Sequence, residues 1–342
     1  MIKEDPIILA IESSCDETSA AVLKGRKVLS NVIATQKIHE KYGGVVPELA
    51  SRAHQSNILP VVDQAMNEAS LSIGSIDAVA VTKGPGLMGA LLVGTSFAKS
   101  LSLALNVPLF AVHHMKAHVL AHFVKNNMDD AQPDFPFLCL TVSGGHTQIV
   151  LVKSPIDMHV VGETIDDAAG EAFDKAAKVL GLLYPGGPLI DRHAQLGDAR
   201  KYKFPVPRLD KFQYSFSGLK TSLLYFLRDE KLKNENFISE ELDHICASYQ
   251  RTIVDYLLGN FEKAILEYGV NDICLAGGVS ANTELRKKFG EMAVRLNKRS
   301  FIPEFQYCTD NAAMIGIAAY FDYKESNNTD LSWAPRASWS VG

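Results

Sequence analysis

The sequence predicts an α/β protein built as two related lobes, and three observations carry that expectation. Short apolar runs at residues 7–11, 20–23, 78–81, 109–112, 137–142, 148–152 and 272–276 read as strands and alternate with stretches of helical period. The first and fifth runs open similar units, Ile8-Leu9-Ala10-Ile11-Glu12-Ser13-Ser14-Cys15-Asp16-Glu17-Thr18 and Cys139-Leu140-Thr141-Val142-Ser143-Gly144-Gly145-His146-Thr147. In each, an apolar strand enters a small polar loop and a second strand follows, which reads as an internal repeat. The third observation is size: 342 residues, 47% of them hydrophobic, suffice for two domains with a sizeable core.

A strand, a small-residue loop and a second strand, repeated once, is how the actin, sugar-kinase and Hsp70 superfamily clamps ATP phosphates between two lobes. Ser, Gly and Thr side chains let backbone N–H groups approach phosphate oxygens closely. Either loop alone reads as an ordinary turn; together they favour a nucleotide cleft.

The next segments add chemistry. In Val112-His113-His114-Met115-Lys116-Ala117-His118, His114 and His118 stand four apart and share one helix face, so both imidazoles can reach one metal ion. The zinc-protease signature would place a glutamate after the first histidine as general base, and Met115 cannot take a proton. An ordinary half-buried histidine pair is the competing reading.

Gly84-Pro85-Gly86-Leu87-Met88-Gly89 follows a strand and precedes a helix, as a dinucleotide fingerprint would. The acidic residue expected about 20 positions on is missing, so a tight strand-to-helix turn is the default. Ala276-Gly277-Gly278-Val279-Ser280-Ala281-Asn282 repeats the pattern, with Asn282 placed to cap a helix and bond a ligand. Asp167, Glu171 and Asp174 are spaced to share a helix face, where carboxylates at a helix start are otherwise just favoured by the dipole.

Composition excludes some classes. A net charge of −5, from Lys+Arg 34 against Asp+Glu 39, gives no overall pull towards nucleic acid or anionic membrane. RNA contact then needs a local patch. Arg200-Lys201-Tyr202-Lys203-Phe204 through Arg208, Lys211, Phe212, Tyr214, Phe216 and Lys220 alternates cations with rings that could stack on bases. A second basic run, Arg286-Lys287-Lys288 with Arg295, Lys298 and Arg299, reads as an exposed helix face. Five scattered cysteines without a CxxC pair suit reduced thiols. With no signal or transit segment and no apolar run of membrane-spanning length, a cytoplasmic protein without membrane contact is expected.

Taken in order, these tracts resemble one family. Residues 12–18, Lys41-Tyr42-Gly43-Gly44-Val45-Val46-Pro47-Glu48, the Gly84 turn, His114/His118, residues 142–147 and residues 167–175 match it. So do Ser215-Phe216-Ser217-Gly218-Leu219-Lys220-Thr221, residues 277–282 and Cys308-Thr309-Asp310-Asn311. All are similar to the bacterial-type tRNA N6-adenosine threonylcarbamoyltransferase family, TsaD, once called O-sialoglycoprotein endopeptidases. Residues 126–130 read as a loop insertion, and the tail after Asp330 matches least.

The resemblance implies a two-lobed actin-like ATPase fold of duplicated RNase H-like domains. Residues 1–134 would carry the His pair, and 135–342 the adenylate-binding loops and a helical insertion. It implies transfer of threonylcarbamoyl from threonylcarbamoyl-AMP to N6 of the adenosine 3′ of the anticodon, in tRNAs reading codons that start with A. His114, His118 and Asp310 correspond to metal ligands, for iron(II) or zinc. Thr141, Val142, Ser143, Gly144, Gly145, Asp174, Gly187, Asp191 and Asn282 correspond to adenylate-binding positions, with ATP and magnesium as a further candidate occupant. Glu12 and Asp16 are candidate catalytic bases. The implied partners are tRNA, the paralogue TsaB, the ATPase TsaE, and TsaC as supplier of threonylcarbamoyl-AMP. A metal-dependent peptidase and an ATP-hydrolysing switch of the Hsp70 type are the alternatives.

Overall fold

A computed structural model describes residues 3–127 and 130–341, so Met128 and Asp129 of the expected loop insertion lie outside the described residues. Two five-stranded sheets organise the chain. The first comprises β1 (Ile7–Glu12), β2 (Glu17–Lys24), β3 (Lys27–Thr35), β4 (Ala78–Gly84) and β5 (Leu109–His113) in the order β3-β2-β1-β4-β5. The second comprises β6 (Phe137–Val142), β7 (Thr147–Val152), β8 (Met158–Glu163), β9 (Asp272–Ala276) and β10 (Arg299–Phe301), in the order β10-β9-β6-β7-β8.

Read from the other edge, the second order repeats the first strand for strand. β1-β2-β3 and β6-β7-β8 are antiparallel meanders, while β1-β4-β5 and β6-β9-β10 pair in parallel. Parallel neighbours need crossovers of a dozen or more residues, and helices supply them. In the first half these are α1 (Pro47–Glu68), reached from β3, and α2 (Met88–Leu105), after which α3 (His114–Leu120) follows β5. In the second, α4 (Ala169–Val179), α5 (Gly186–Ala194), α6 (Ser217–Lys231) and α7 (Phe237–Tyr268) lie between β8 and β9, and α8 (Thr283–Arg295) joins β9 to β10. The last helix, α9 (Ala312–Lys324), returns to pack on β1 and β2 of the first sheet.

The central strands are near-continuous apolar runs because helices cover both faces: Ile8 to Ile11 and Phe137 to Leu140 are wholly enclosed. One apolar cluster fills the space between α4–α8 and the second sheet, and another joins α3 and α9 to both sheets. α2 corrects one expectation, since by length and composition it is apolar enough to cross a membrane. Here Ala90, Leu91, Gly94, Thr95, Ala98 and Ser102 form its buried face, packed on β4 and α1.

The C-terminal tail straps the first lobe. Thr329 N–H donates to the Leu109 carbonyl at 2.9 Å, Arg336 N–H to Lys83 at 2.8 Å, and Gly86 N–H to Ala337 at 3.1 Å. Trp339 lies 4.4 Å from the His113 ring, and the Lys83 ammonium sits between Trp333 (5.2 Å) and Trp339 (5.4 Å).

Candidate functional site

A cleft of about 580 Å³ is lined from both halves. From the first come residues 14–17, Pro85, Gly86, Leu87 and His114, with Thr309 and Asp310 from the segment leading into α9. The second contributes residues 143–146, Gly170, Phe173, Asp174, Tyr184, Gly187, Asp191, Gly278 and Asn282.

Local structure explains how the His pair arrives there. β5 ends at His113, whose Nδ1 accepts from Met115 N–H at 3.2 Å and caps α3, placing His114 and His118 one turn apart. Asp310 comes from 192 residues away. Asn311 caps α9 by accepting from Met314 N–H at 3.0 Å, and Ala312 N–H donates to Ser19 Oγ at 2.9 Å, which pins the helix start against β2. Asp310, one residue before that cap, is thereby held against α3.

Both Nε2 atoms face one carboxylate oxygen, His118 at 3.1 Å and His114 at 3.3 Å from Asp310 Oδ1, and the rings stand edge to face at 4.7 Å. The three ligand atoms lie within 4.8 Å of one another, so the group could hold a metal ion. The surroundings fit such an ion. Glu12, wholly enclosed, lies 3.0 Å from His114 Nδ1, the outer carboxylate that orients a ligating imidazole. Two imidazoles and one carboxylate suit iron(II) or zinc. Met115, buried at 2% exposure, occupies the position where the zinc-protease motif carries its base.

Charge is concentrated here. Burial opposes a charge on Glu12 and Asp310, but the neighbouring His114 outweighs it and holds both carboxyls below their ordinary range. Burial likewise works against protonated His114, yet Asp310 and Glu12 together raise it well above an ordinary histidine. Glu17 is pushed up to about 9 by burial, then by Asp310 and Asp16. His146, on the opposite wall, is lowered to about 4 by burial and then by His114 and His118.

At Ser143-Gly144-Gly145 the second-half wall is small and uncharged. Ser143 lines the cleft while its backbone N–H donates within its own turn to His146 O at 2.8 Å. Gly144 and Gly145 N–H groups donate to no described residue, and a Cβ at either would meet open space. Asp174 accepts from Gly186 N–H at 2.8 Å and Gly187 N–H at 3.3 Å, closing the start of α5 at the cleft edge. Burial outweighs those two bonds and raises its carboxyl above the ordinary value. Asp167 and Glu171 pair instead with Lys175, at 2.5 and 2.9 Å.

Of the residues singled out from sequence, Asp16, Ser143, Gly144, Gly145, Asp174, Gly187, Asp191, Asn282, His114 and Asp310 meet at the cleft. His118 lies just behind Asp310. Glu12, Thr141 and Val142 are buried and do not line it. Glu12 accepts from Ser14 N–H and from Thr82 Oγ1, the latter at 2.6 Å, as well as facing His114. Glu17, Phe173, Tyr184 and His146 line the cleft and were not singled out. Glu17, His146 and Phe173 lie within motif tracts and Tyr184 lies three residues before Gly187, so proximity to a motif is their signal in the sequence.

One motif reading holds and another changes. The Gly84 turn is filled by the chain itself: a Cβ at Gly86 would meet the Ser14 carbonyl at 2.5 Å, and Gly84 packs on Arg336 with φ +152°. This is the tight strand-to-helix turn that the sequence favours. In the basic stretch, Phe204, Phe212, Tyr214 and Phe216 are core residues, which overturns their stacking role. The rings point in and the cations out.

The repeated sheets with a shared cleft define the fold class of the actin, sugar-kinase and Hsp70 ATPases. Full-length HypF, solved in a phosphate- and nucleotide-bound form, shares this fold with a TM-score of 0.62 at 14% identity, covering 95% of this chain and 47% of that one. The family model for TsaD, tRNA N6-adenosine threonylcarbamoyltransferase, matches residues 27–317. Relatives with that name include proteins of Christiangramia forsetii (56% identity, 95% of each chain) and Porphyromonas gingivalis (53%, 98% of each). The chain belongs to this family of transferases.

Proposed function

We propose that the cleft binds threonylcarbamoyl-AMP and passes its threonylcarbamoyl group to N6 of the adenosine 3′ of the anticodon, in tRNAs reading codons that start with A. The product is the t6A nucleoside of the family's reaction. The observation that carries this reading is the junction of two unlike walls: a His114/His118/Asp310 cluster faces open, side-chain-free backbone at Gly144 and Gly145. The first suits the phosphate of a mixed anhydride, the second the close approach of an adenylate.

In the reaction, N6 attacks the carbamoyl carbon, the C–O bond to phosphate breaks, and AMP leaves with that electron pair. An iron(II) or zinc ion held by His114, His118 and Asp310 would supply Lewis-acid neutralisation of the phosphate. Gly144 and Gly145 N–H groups hold further anionic oxygens. Asp16, which lines the cleft, takes the N6 proton. Glu12 acts through His114, whose ring it orients. Cys15, half-buried at the cleft, has its thiol raised by desolvation and by Asp16, which does not suit a covalent nucleophile.

The remaining assignments are part of the same proposal. The lobes divide at 134/135, with α9 returning to the first. ATP with magnesium is a second occupant of the same cleft. The protein works in the cytoplasm, where five free cysteines stay reduced. TsaB docks on the exposed face of α2, where Met88, Leu92 and Leu103 are exposed next to α1, itself with Leu59 exposed, while TsaE and TsaC complete the pathway. tRNA reaches the cleft over exposed cations such as Lys203 and Arg208.

The test is transfer of labelled threonylcarbamoyl to unmodified tRNA, with TsaB, TsaC and TsaE supplied. Wild type should transfer and His114→Ala should lose both transfer and bound metal. A well-folded wild type that transfers nothing overturns the reading.

A further inference from the structure

We infer that Gln250, in the middle of α7, is a positioning residue that sets Asp191 and Asn282 to read the ribose of the bound adenylate. This rests on the adenylate reading of the cleft. Nothing about residue 250 in the sequence points to a site, since it lies in a long helix between core positions.

The geometry runs in one direction. Leu285 N–H can only donate, so the oxygen it reaches at 2.9 Å must be Asn282 Oδ1. Asn282 Nδ2 then points the other way and donates to Gln250 Oε1 at 2.7 Å and to Asp191 Oδ1 at 3.2 Å. With its oxygen so used, Gln250 presents Nε2, which donates to Asp191 Oδ1 at 3.0 Å and, at 3.5 Å, reaches Glu284 Oε2. Thr283 Oγ1 adds a bond to Asp191 Oδ1 at 2.7 Å. One helix-start N–H thereby fixes both amides and the carboxylate beyond them.

The consequence is an uneven carboxylate. Among the described residues, Asp191 Oδ1 accepts three hydrogen bonds, whereas Oδ2 accepts only a long one from Thr283 N–H at 3.3 Å. Oδ2 keeps acceptor capacity, and Asp191 lines the cleft. A carboxylate so arranged takes hydroxyl donors, and on an adenylate these are the ribose hydroxyls. Gln250 is 2% exposed, so it does not touch the ligand itself. Without its Nε2–H, Asp191 Oδ1 loses a donor that only this side chain supplies, and the carboxylate is free to turn.

The experiment compares AMP with 2′,3′-dideoxy-AMP binding to the full-length chain by calorimetry. Wild type should prefer AMP by about tenfold or more. Gln250→Met keeps size without donor or acceptor, and should weaken AMP about tenfold while leaving the dideoxy compound within about twofold. Gln250→Leu likewise removes donor and acceptor at similar size and should lose the same preference; it carries the test if the Met variant melts early. Equal loss for both nucleotides means general loosening and overturns the proposal, as does a preference that survives either substitution or is absent in wild type. If wild type binds neither nucleotide, the adenylate cleft itself falls and this role with it; if it binds AMP normally, only the role of Gln250 is at stake.

Discussion

The two halves share one strand order and use it for opposite ends. In the first, the loop after the leading strand carries Cys15, Asp16 and Glu17, and the turn after β4 is packed shut by Ser14, Arg336 and Ala337. In the second, the matching loop is Ser143-Gly144-Gly145-His146, and beside it Gly278 faces open space. One lobe gathers charge around His114, His118 and Asp310, while the other leaves backbone bare. A duplicated scaffold fixes where loops converge but not what they hold, and a handful of side chains make one wall electrostatic and the other steric.

The comparison breaks most sharply at the charged wall. His118→Ala should lower transfer by about a thousandfold, several kcal/mol of lost transition-state stabilisation, and release bound metal measurable by elemental analysis. Normal metal content in that variant would remove His118 from the ligand set.

A second test probes the seam between the halves. Buried His122 bonds the Leu275 carbonyl of the second sheet, and burial lowers it to about 4. It is neutral when folded but charges near pH 6.5 when unfolded, so its stability is present above pH 6.5 and is lost as pH falls towards 4. The loss approaches roughly 3 kcal/mol. His122→Asn should flatten denaturant midpoints across that window; an unchanged slope would place the acid sensitivity elsewhere.

Glycine substitutions then set lobe against lobe. Gly86→Ala should destabilise the fold by about 1–3 kcal/mol, because Ser14 has nowhere to go. Gly144→Val should leave the melting temperature alone and weaken AMP binding about tenfold to a hundredfold. The reverse pattern would mean that the filled and open turns have been assigned the wrong way round. The smallest effect expected is on tRNA. Lys201→Glu or Arg208→Glu should weaken binding severalfold, more at low salt. Lys201 already pairs with Glu241 at 2.5 Å, so Arg208 is the more informative site.

The strands legible in the sequence were the apolar ones, and every run read as a strand lies in one. β3, β8 and β10 are not legible because polar residues such as Lys27, Asn31, His159 and Arg299 interrupt their apolar runs, which an edge position tolerates; β5, also at an edge, keeps an unbroken apolar run. The His pair was legible because four-residue spacing is a local property. Asp310 has no such spacing and entered only through resemblance. Gln250 was invisible, since its partners on α5 and α8 are fixed by folding alone. The rings of residues 204–216 were misread because cation-ring alternation fits a half-buried segment as well as a stacking platform. The run at 286–299 is an exposed helix face only in part: Lys287 and Arg295 are exposed on α8, Arg286 is half-buried and donates to the Pro303 carbonyl, and Arg299 belongs to β10.

The strap that closes the first lobe also fixes what light can see of this protein. Both tryptophans of the chain, Trp333 and Trp339, lie in it, one against His113 and both against Lys83. Indole emission is therefore a local gauge of the corner beside His114, blind to the far wall. A ligand engaging the second lobe alone leaves that signal still, whereas one that shifts His113 or lifts the tail changes it, with no label added.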